Sequence, residues 1–330
     1  MVLFETQLNP AFRWADIPLD DEMGPRGYRE TFMNKQGLKL ASYWWPAVKP
    51  KAVIVIIHGH GAYLMYHFGK FQGVSHHRVY SESWIERWNN AGYSVCGIDI
   101  QSHGRSESVA HVRCYFQRFN DLVDDVEQFI TGEVARKKDF RKLPLFVCGI
   151  SMGGCVAVNV CNRLWGEKYL KGAVLLAPML TLERIARSWV NQFMRPLSLL
   201  LNTLVPTWAL VAGKANEKFP EMQVAWEADP YTASHPTRVR VACEYLDITS
   251  RTLAAMPDME FDFIVFHSED DGLCDPDGSR RLFASSKANS KMLSIVNQFW
   301  HNLTEEEGNE DLQSAVISWT DTMIQQAFEG

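Results

Sequence analysis

The chain has no cluster of lysines and arginines, no unbroken apolar run of membrane-spanning length, no Cys-x-x-Cys pair, no internal repeat and no low-complexity tract. Each absence removes a class of function. Charges of both signs are interspersed to a formal net charge of −6, so no basic stripe exists to track a phosphate backbone and nucleic acid is excluded as a partner. The strongly apolar segment 197–212 contains Asn202, Thr203, Pro206 and Thr207, and falls short of the ~20 residues a transmembrane helix needs. The first 20 residues lack the basic and apolar regions of a secretory signal, which makes the cytoplasm the default compartment. The seven cysteines are an odd number, and Cys96, Cys148 and Cys155 sit in apolar runs where a thiol behaves as a small hydrophobe, so reduced cysteines are expected. The ten histidines form no ligand cluster with them, and neither a metal nor a cofactor is expected.

What is present is the composition of a globular protein. With 330 residues, 46% of them hydrophobic and 22% charged, the chain can bury one large core. Short apolar runs bounded by turn residues recur at 52–57, 93–98, 144–148, 172–177, 261–266 and 292–296. Most are continuous rather than alternating, the pattern of strands covered on both faces and hence of a parallel sheet. Between them, apolar residues return at spacings of three and four, most clearly Leu122, Val126, Phe129, Ile130 and Val134 in a helix predicted over 119–138. Further helices are expected at 80–91, 153–164, 276–288 and 309–328, and an antiparallel pair, 28–33 with 38–45, around the Lys35-Gln36-Gly37 turn. Alternating strands and helices predict a doubly wound α/β architecture. One stretch breaks the alternation: 179–258 is helix-like, carries scattered prolines and shows no obvious buried strand. It reads as a helical cap inserted into a core formed by 1–178 and 259–330. Within it, 197–212 is either a helix buried against the core or a lid whose apolar face meets lipid.

Gly149-Ile150-Ser151-Met152-Gly153 matches the Gly-x-Ser-x-Gly elbow, in which a strained strand-to-helix turn exposes the serine and Gly149 and Gly153 avoid Cβ clashes. A bare match is weak, with on the order of 0.1 chance occurrences in a chain of this length at ordinary usage. Its context is stronger. A predicted strand enters it, a small-residue helix leaves it, and His58-Gly59-His60-Gly61 follows the strand at 52–57. Gly59 and Gly61 permit a loop that aims a backbone N–H at the serine, so the N–H groups of His60 and Met152 are the predicted oxyanion hole. The His60 imidazole is read as pocket lining. A serine hydroxyl needs a general base oriented by a carboxylate, and the chain order in such a fold is serine, acid, histidine. Of His235, His267 and His301, only the last follows the final strand and precedes the final helix, which makes it the expected base. The turn after 261–266 offers Glu269, Asp270, Asp271 and Asp275, and the physics of the sequence does not choose among them.

These residues resemble the monoglyceride lipase and lysophospholipase branch of the α/β-hydrolases, from about Arg29 to the C-terminus. The likeness rests on His58-Gly59-His60-Gly61, Gly97-Ile98-Asp99 with Ser102-His103-Gly104-Arg105-Ser106, the elbow with Gly154, Asp271-Gly272-Leu273-Cys274-Asp275, and Phe299-Trp300-His301. It implies an α/β-hydrolase fold with a mostly parallel eight-stranded sheet, helices on both faces and an inserted helical cap. It makes Asp271 the triad acid, with Asp270 as the fallback, and requires no cofactor. The implied partner is a small lipid ester with one acyl chain, a lysophospholipid or a monoacylglycerol, with peripheral membrane contact through the cap. Residues 118–125 resemble lysophospholipases, whereas 273–275 resemble monoglyceride lipases.

Three departures stand out. Ala62-Tyr63 replaces the Glu-His that follows this loop in monoglyceride lipases, where the Glu helps hold the glycerol head. The stretch 63–77, with Tyr66, His67, Phe68, Phe71, His76 and His77, is longer than the family's loop and either lines the entrance or is a surface excursion. Ile150 stands where a His often precedes the nucleophile. The expected activity is two-step acyl transfer to water; an esterase for soluble substrates, a peptidase or an acyltransferase uses the same scaffold. A non-catalytic ligand-binding protein of this fold predicts a missing triad member, and none is missing.

Overall fold

The computed structural model describes residues 19–73, 78–183, 200–211 and 214–329. Ten strands occur among them: β1 (Tyr28–Met33), β2 (Lys39–Trp45), β3 (Ala52–Ile57), β4 (Tyr93–Ile98), β5 (Leu145–Ile150), β6 (Leu170–Leu176), β7 (Ala209–Val211), β8 (Thr237–Arg238), β9 (Phe263–Ser268) and β10 (Lys291–Val296). Eight form one sheet in the order β1-β2-β4-β3-β5-β6-β9-β10. The pairs β1–β2 and β2–β4 are antiparallel, and the rest are parallel. This is the α/β-hydrolase fold.

The continuous apolar strands serve two cores at once. In β3, Val53, Val55 and Ile57 pack on one face and Ala52, Ile54 and Ile56 on the other. Successive side chains of a strand point to opposite faces, so a strand covered on both sides must be apolar throughout. Helices Phe119–Gln128, Met152–Leu164 and Pro276–Ser285 cover the first face, and Trp84–Asn90 and Asn309–Glu329 the second.

Several boundaries differ from the sequence expectation. Strand β5 runs on to Ile150 because Gly149 and Ile150 still pair with Leu175 and Leu176 of β6; inter-strand pairing, not hydropathy, sets its end. The helix expected from residue 80 begins at Trp84, where the Ser83 hydroxyl accepts the Glu86 N–H at 3.2 Å. The helix predicted over 119–138 is regular only to Gln128 and continues as a π-helical stretch, Phe129–Val134, that keeps Phe129, Ile130 and Val134 buried. Between β6 and β9 lie helices Pro220–Ala228 and Val239–Ala255 and the small β7–β8 ladder, which stands apart from the main sheet. Of the two alternatives for 197–212, the described part does not fit a helix buried against the core. Leu204 and Trp208 are 67% and 60% exposed, and Leu200 and Leu210 are exposed too; the described helical residues end at Leu204, and after Pro206 the chain continues as β7. Residues 197–199 and 212 lie outside the described set. No helix among the described residues is long and apolar enough to cross a membrane. All seven cysteines are free, with Cys96, Cys148 and Cys155 fully buried.

Doubly wound sheets place functional loops at the carboxyl ends of strands, where the order reverses. Here that point is β3, which is followed by β4 on one side and neighboured by β5 on the other. The loop after β3 and the turn after β5 therefore meet at one edge. Gly153 sits at the contact: a methyl group there would overlap the carbonyl oxygens of Ile57 and His58. Gly153→Ala is expected to destabilise the fold by about 1–3 kcal/mol through overpacking, read as a lower denaturation midpoint with an unchanged slope.

Candidate active site

Ser151 joins β5 to helix Met152–Leu164 with φ 57° and ψ −122°, a backbone state that costs a non-glycine residue about 1–3 kcal/mol. Backbone hydrogen bonds hold it there. The Ser151 N–H donates to Leu176 O at 3.0 Å, and its carbonyl accepts from Gly154 and Met179 at 3.0 and 2.9 Å. Ser151 is left partly exposed at the end of the strand.

The loop after β3 passes close by: a Cβ on Gly59 would stand 3.1 Å from the Ser151 Cβ. Histidines set its shape. His58 donates from Nδ1 to Gly59 O at 2.8 Å and accepts the Ile100 N–H on Nε2 at 2.9 Å, while the Gly59 N–H donates to His67 Nδ1 at 3.1 Å. Burial pushes the His58 and His67 imidazoles down, so both stay neutral and keep the lone pairs these bonds require. Gly61 takes a φ of +72° and accepts the Ala233 N–H at 2.8 Å. Among the described residues, no hydrogen bond occupies the N–H of His60 or of Met152, the latter at a helix N-terminus. The His60 ring packs edge-on to Tyr245 and His103, and burial pushes it down to about 3.

Of the four candidate acids, three are engaged elsewhere. Asp270 pairs with Lys218 at 3.0 Å in solvent, Glu269 pairs with Arg280, and Asp275 accepts the Asp277 N–H at the start of helix Pro276–Ser285. Asp271 turns inward and is fully enclosed. Its Oδ1 accepts the N–H groups of Leu273 and Cys274 at 2.7 and 2.8 Å, and its Oδ2 lies 2.7 Å from His301 Nδ1. Burial alone would raise this carboxyl, but the facing His301 charge and the contacts with His267 and His301 outweigh it and hold it well below the usual carboxylate range. For His301 the balance is mirrored: burial pushes the imidazole down, and Asp271, helped by Glu306, pushes it further up. Glu306 also fixes the backbone of this loop by accepting the N–H groups of Trp300, His301 and Asn302 at 2.5, 3.0 and 2.7 Å. Nothing in the sequence pattern marked Glu306; only the folded loop brings its carboxylate back onto those amides.

The structure thus joins Asp271 to His301 directly and sets Ser151 beside them. The Ser151 Oγ faces Cys274 Sγ at 3.8 Å, and no described hydrogen bond joins it to His301; such bonds are often long before substrate binds. Asp271, Cys274 and His301 hold one ligand atom each within 4.8 Å of one another. Both Asp271 oxygens are already committed, however, and burial pushes the Cys274 thiol up, away from the thiolate a metal requires. The stretch from Tyr63 is no surface excursion up to Phe68: helix Leu64–Phe68 is buried, the Tyr63 hydroxyl donates to Asp229 at 2.9 Å, and Tyr66 packs edge-on to Trp226.

Residues 48–308 match the family described as serine aminopeptidase, S33. The chain is 26% identical over 292 residues to a monoglyceride lipase of Mus musculus, covering 87% of this chain and 88% of that protein. It is 26% identical over 284 residues to phospholipase YtpA of Bacillus subtilis, covering 85% and 99%. A soluble variant of monoglyceride lipase from Saccharomyces cerevisiae, solved with a substrate analog, has a TM-score of 0.71 at 16% identity, over 90% of this chain and 94% of that one. The monoacylglycerol lipase of Paleococcus ferrophilus has a TM-score of 0.66 at 19% identity, over 87% and 98%. At such identities the structural likeness bears on the fold alone. The match to the family spans most of the chain, and the protein belongs to the serine aminopeptidase S33 family of α/β-hydrolases.

Proposed function

We propose that this hydrolase cleaves carboxylic esters of single-acyl-chain lipids through Ser151, His301 and Asp271. The observation that carries the reading is the enclosed Asp271–His301 pair beside a serine held at positive φ. His301 Nε2 takes the Ser151 proton as Oγ attacks the ester carbonyl, and the N–H groups of His60 and Met152 hold the oxyanion. Collapse of the tetrahedral intermediate expels the alcohol, which leaves with the proton from His301. Water, deprotonated by the same imidazole, then releases the fatty acid and restores the hydroxyl. Asp271 keeps the imidazole in the Nδ1–H tautomer throughout. No step calls for a cofactor.

The lipid assignment is supported by the aromatic rings above the loop, Tyr66, Trp226 and Tyr245, and by relatives named monoglyceride lipase and phospholipase. Residues 179–258 act as the cap, and their exposed Leu200, Leu204, Trp208 and Leu210 are the surface offered to a lipid interface. Ala62 is buried in place of the glycerol-holding Glu, so the head group is held differently from that in monoglyceride lipases.

Ser151→Ala is expected to lower kcat for ester hydrolysis by about 10⁴-fold or more, and Asp271→Asn by a similar factor; near wild-type turnover by the serine variant refutes the mechanism. Because His301 must be neutral to act as base and its imidazole is pushed up, kcat/KM should rise with pH through a midpoint above the ordinary value of about 6.5. A midpoint below that value contradicts the assigned pairing. Phosphatidylcholine vesicles should co-sediment the protein, and replacing Leu200, Leu204 and Trp208 by Ser should abolish co-sedimentation while sparing turnover of a soluble ester. Equal sedimentation of both proteins rejects the cap as the contact.

A further inference from the structure

A second histidine stands on the triad carboxylate. His267, the penultimate residue of β9, is completely buried, with its Nε2 3.2 Å from Asp271 Oδ2, the same oxygen that receives His301 Nδ1. Its Nε2–H lies off the line of a hydrogen bond in this geometry. On its other side, Nδ1 is 2.8 Å from the hydroxyl of Ser279, which is fully buried in helix Pro276–Ser285.

These contacts determine where the proton is. A lone pair on Nε2 would be repelled by a carboxylate oxygen at 3.2 Å, so Nε2 carries the hydrogen. A neutral ring then presents its Nδ1 lone pair to Ser279, and the hydroxyl must donate. Ser279 thereby does for His267 what Asp271 does for His301: it selects the tautomer. The titratable groups facing the shared carboxylate are His267 from β9, His301 from the loop after β10, and Cys274 from the acid turn, whose thiol burial keeps protonated.

We infer that Ser279 and His267 form a buried relay that positions Asp271, dividing one carboxylate oxygen between two imidazoles and so moderating its pull on His301. His267 is a positioning residue: it touches neither Ser151 nor the space in which substrate reacts. The relay rests on the triad reading but makes a separate claim. With Asp271 relieved of His267, its charge falls wholly on His301, which then holds its proton more tightly. The carboxylate also loses a neighbour that limits its rotation about the Oδ1 bonds to Leu273 and Cys274.

The test compares Ser279→Ala, His267→Leu and His267→Gln for kcat, KM and the pH profile on a soluble p-nitrophenyl ester. Ser279→Ala, a small deletion that leaves His267 in place, is expected to lower kcat about three- to tenfold with KM unchanged, the scale of one lost hydrogen bond. His267→Leu should lower kcat further and move the acid limb of kcat/KM to higher pH. His267→Gln, whose side-chain amide keeps an N–H near the Nε2 position, should restore the limb, and adding Ser279→Ala to it should have no further effect. Wild-type kcat and an unmoved acid limb in both Ser279→Ala and His267→Leu overturn the relay. Loss of kcat with an unmoved acid limb in the Leu variant does so as well, since it marks a merely structural residue. If Asp271→Asn still collapses activity while the relay variants are silent, the relay fails and the triad stands; if Asp271→Asn is silent too, the triad reading fails.

Discussion

The backbone of Ser151 is the constraint around which the site is arranged. A non-glycine residue at φ 57° persists only if its surroundings over-determine it, and here they do. Its N–H is tied to β6, its carbonyl to Met179 beyond β6 and to the first turn of its own helix, and that helix approaches β3 so closely that only glycine fits at 153. The same closeness brings the loop after β3 against the serine. The strained turn and the loop after β3 are therefore one packing solution, and each requires the parallel β3–β5 pairing.

Electrostatics then distinguishes one histidine from its neighbours. The imidazoles of His58, His60, His67 and His103 are all pushed down by burial, and in a low-dielectric environment they remain neutral hydrogen-bonding groups that shape the loop. His301 is buried as well, yet it is pushed up, because it faces an ionised carboxylate that is itself stabilised by two backbone amides. A proton can move onto this one ring without being forced onto the others. That one imidazole among many is pushed up rather than down follows from where one carboxylate turns inward.

The segment between β6 and β9 is fastened to the loop after β3 rather than merely laid over it. Asp229 receives the Tyr63 hydroxyl and the Tyr231 N–H, Ala233 donates to Gly61 O, and Trp226 lies against both Tyr66 and Gly61. Tyr63, next to the buried Ala62, thus uses its hydroxyl to hold this segment in place. Its outward side, with Leu204 and Trp208 exposed, lacks any such partner among the described residues.

The elements that depend on near neighbours in the chain were legible in the sequence. Buried parallel strands show as continuous apolar runs, the elbow and the loop after β3 as glycines at fixed spacing, and His301 as the histidine between the last strand and the last helix. Hydropathy and turn chemistry left four carboxylates in one turn equivalent and only the family resemblance singled out Asp271; packing is what turns Asp271 inward and leaves Asp270 with Lys218 in solvent. Not legible were Glu306 on the His301 loop, His267 with Ser279 behind Asp271, and the outward face of 200–211, each of which is defined by partners or solvent that appear only on folding. The amino-acid sequence by itself determined the architecture and where the elbow serine and His301 fall along it, because periodicity and turn chemistry are local. Which carboxylate is enclosed, which imidazole can hold a proton and which apolar surface stays wet were decided only by tertiary structure, because burial and charge pairing are set by residues far apart in the chain.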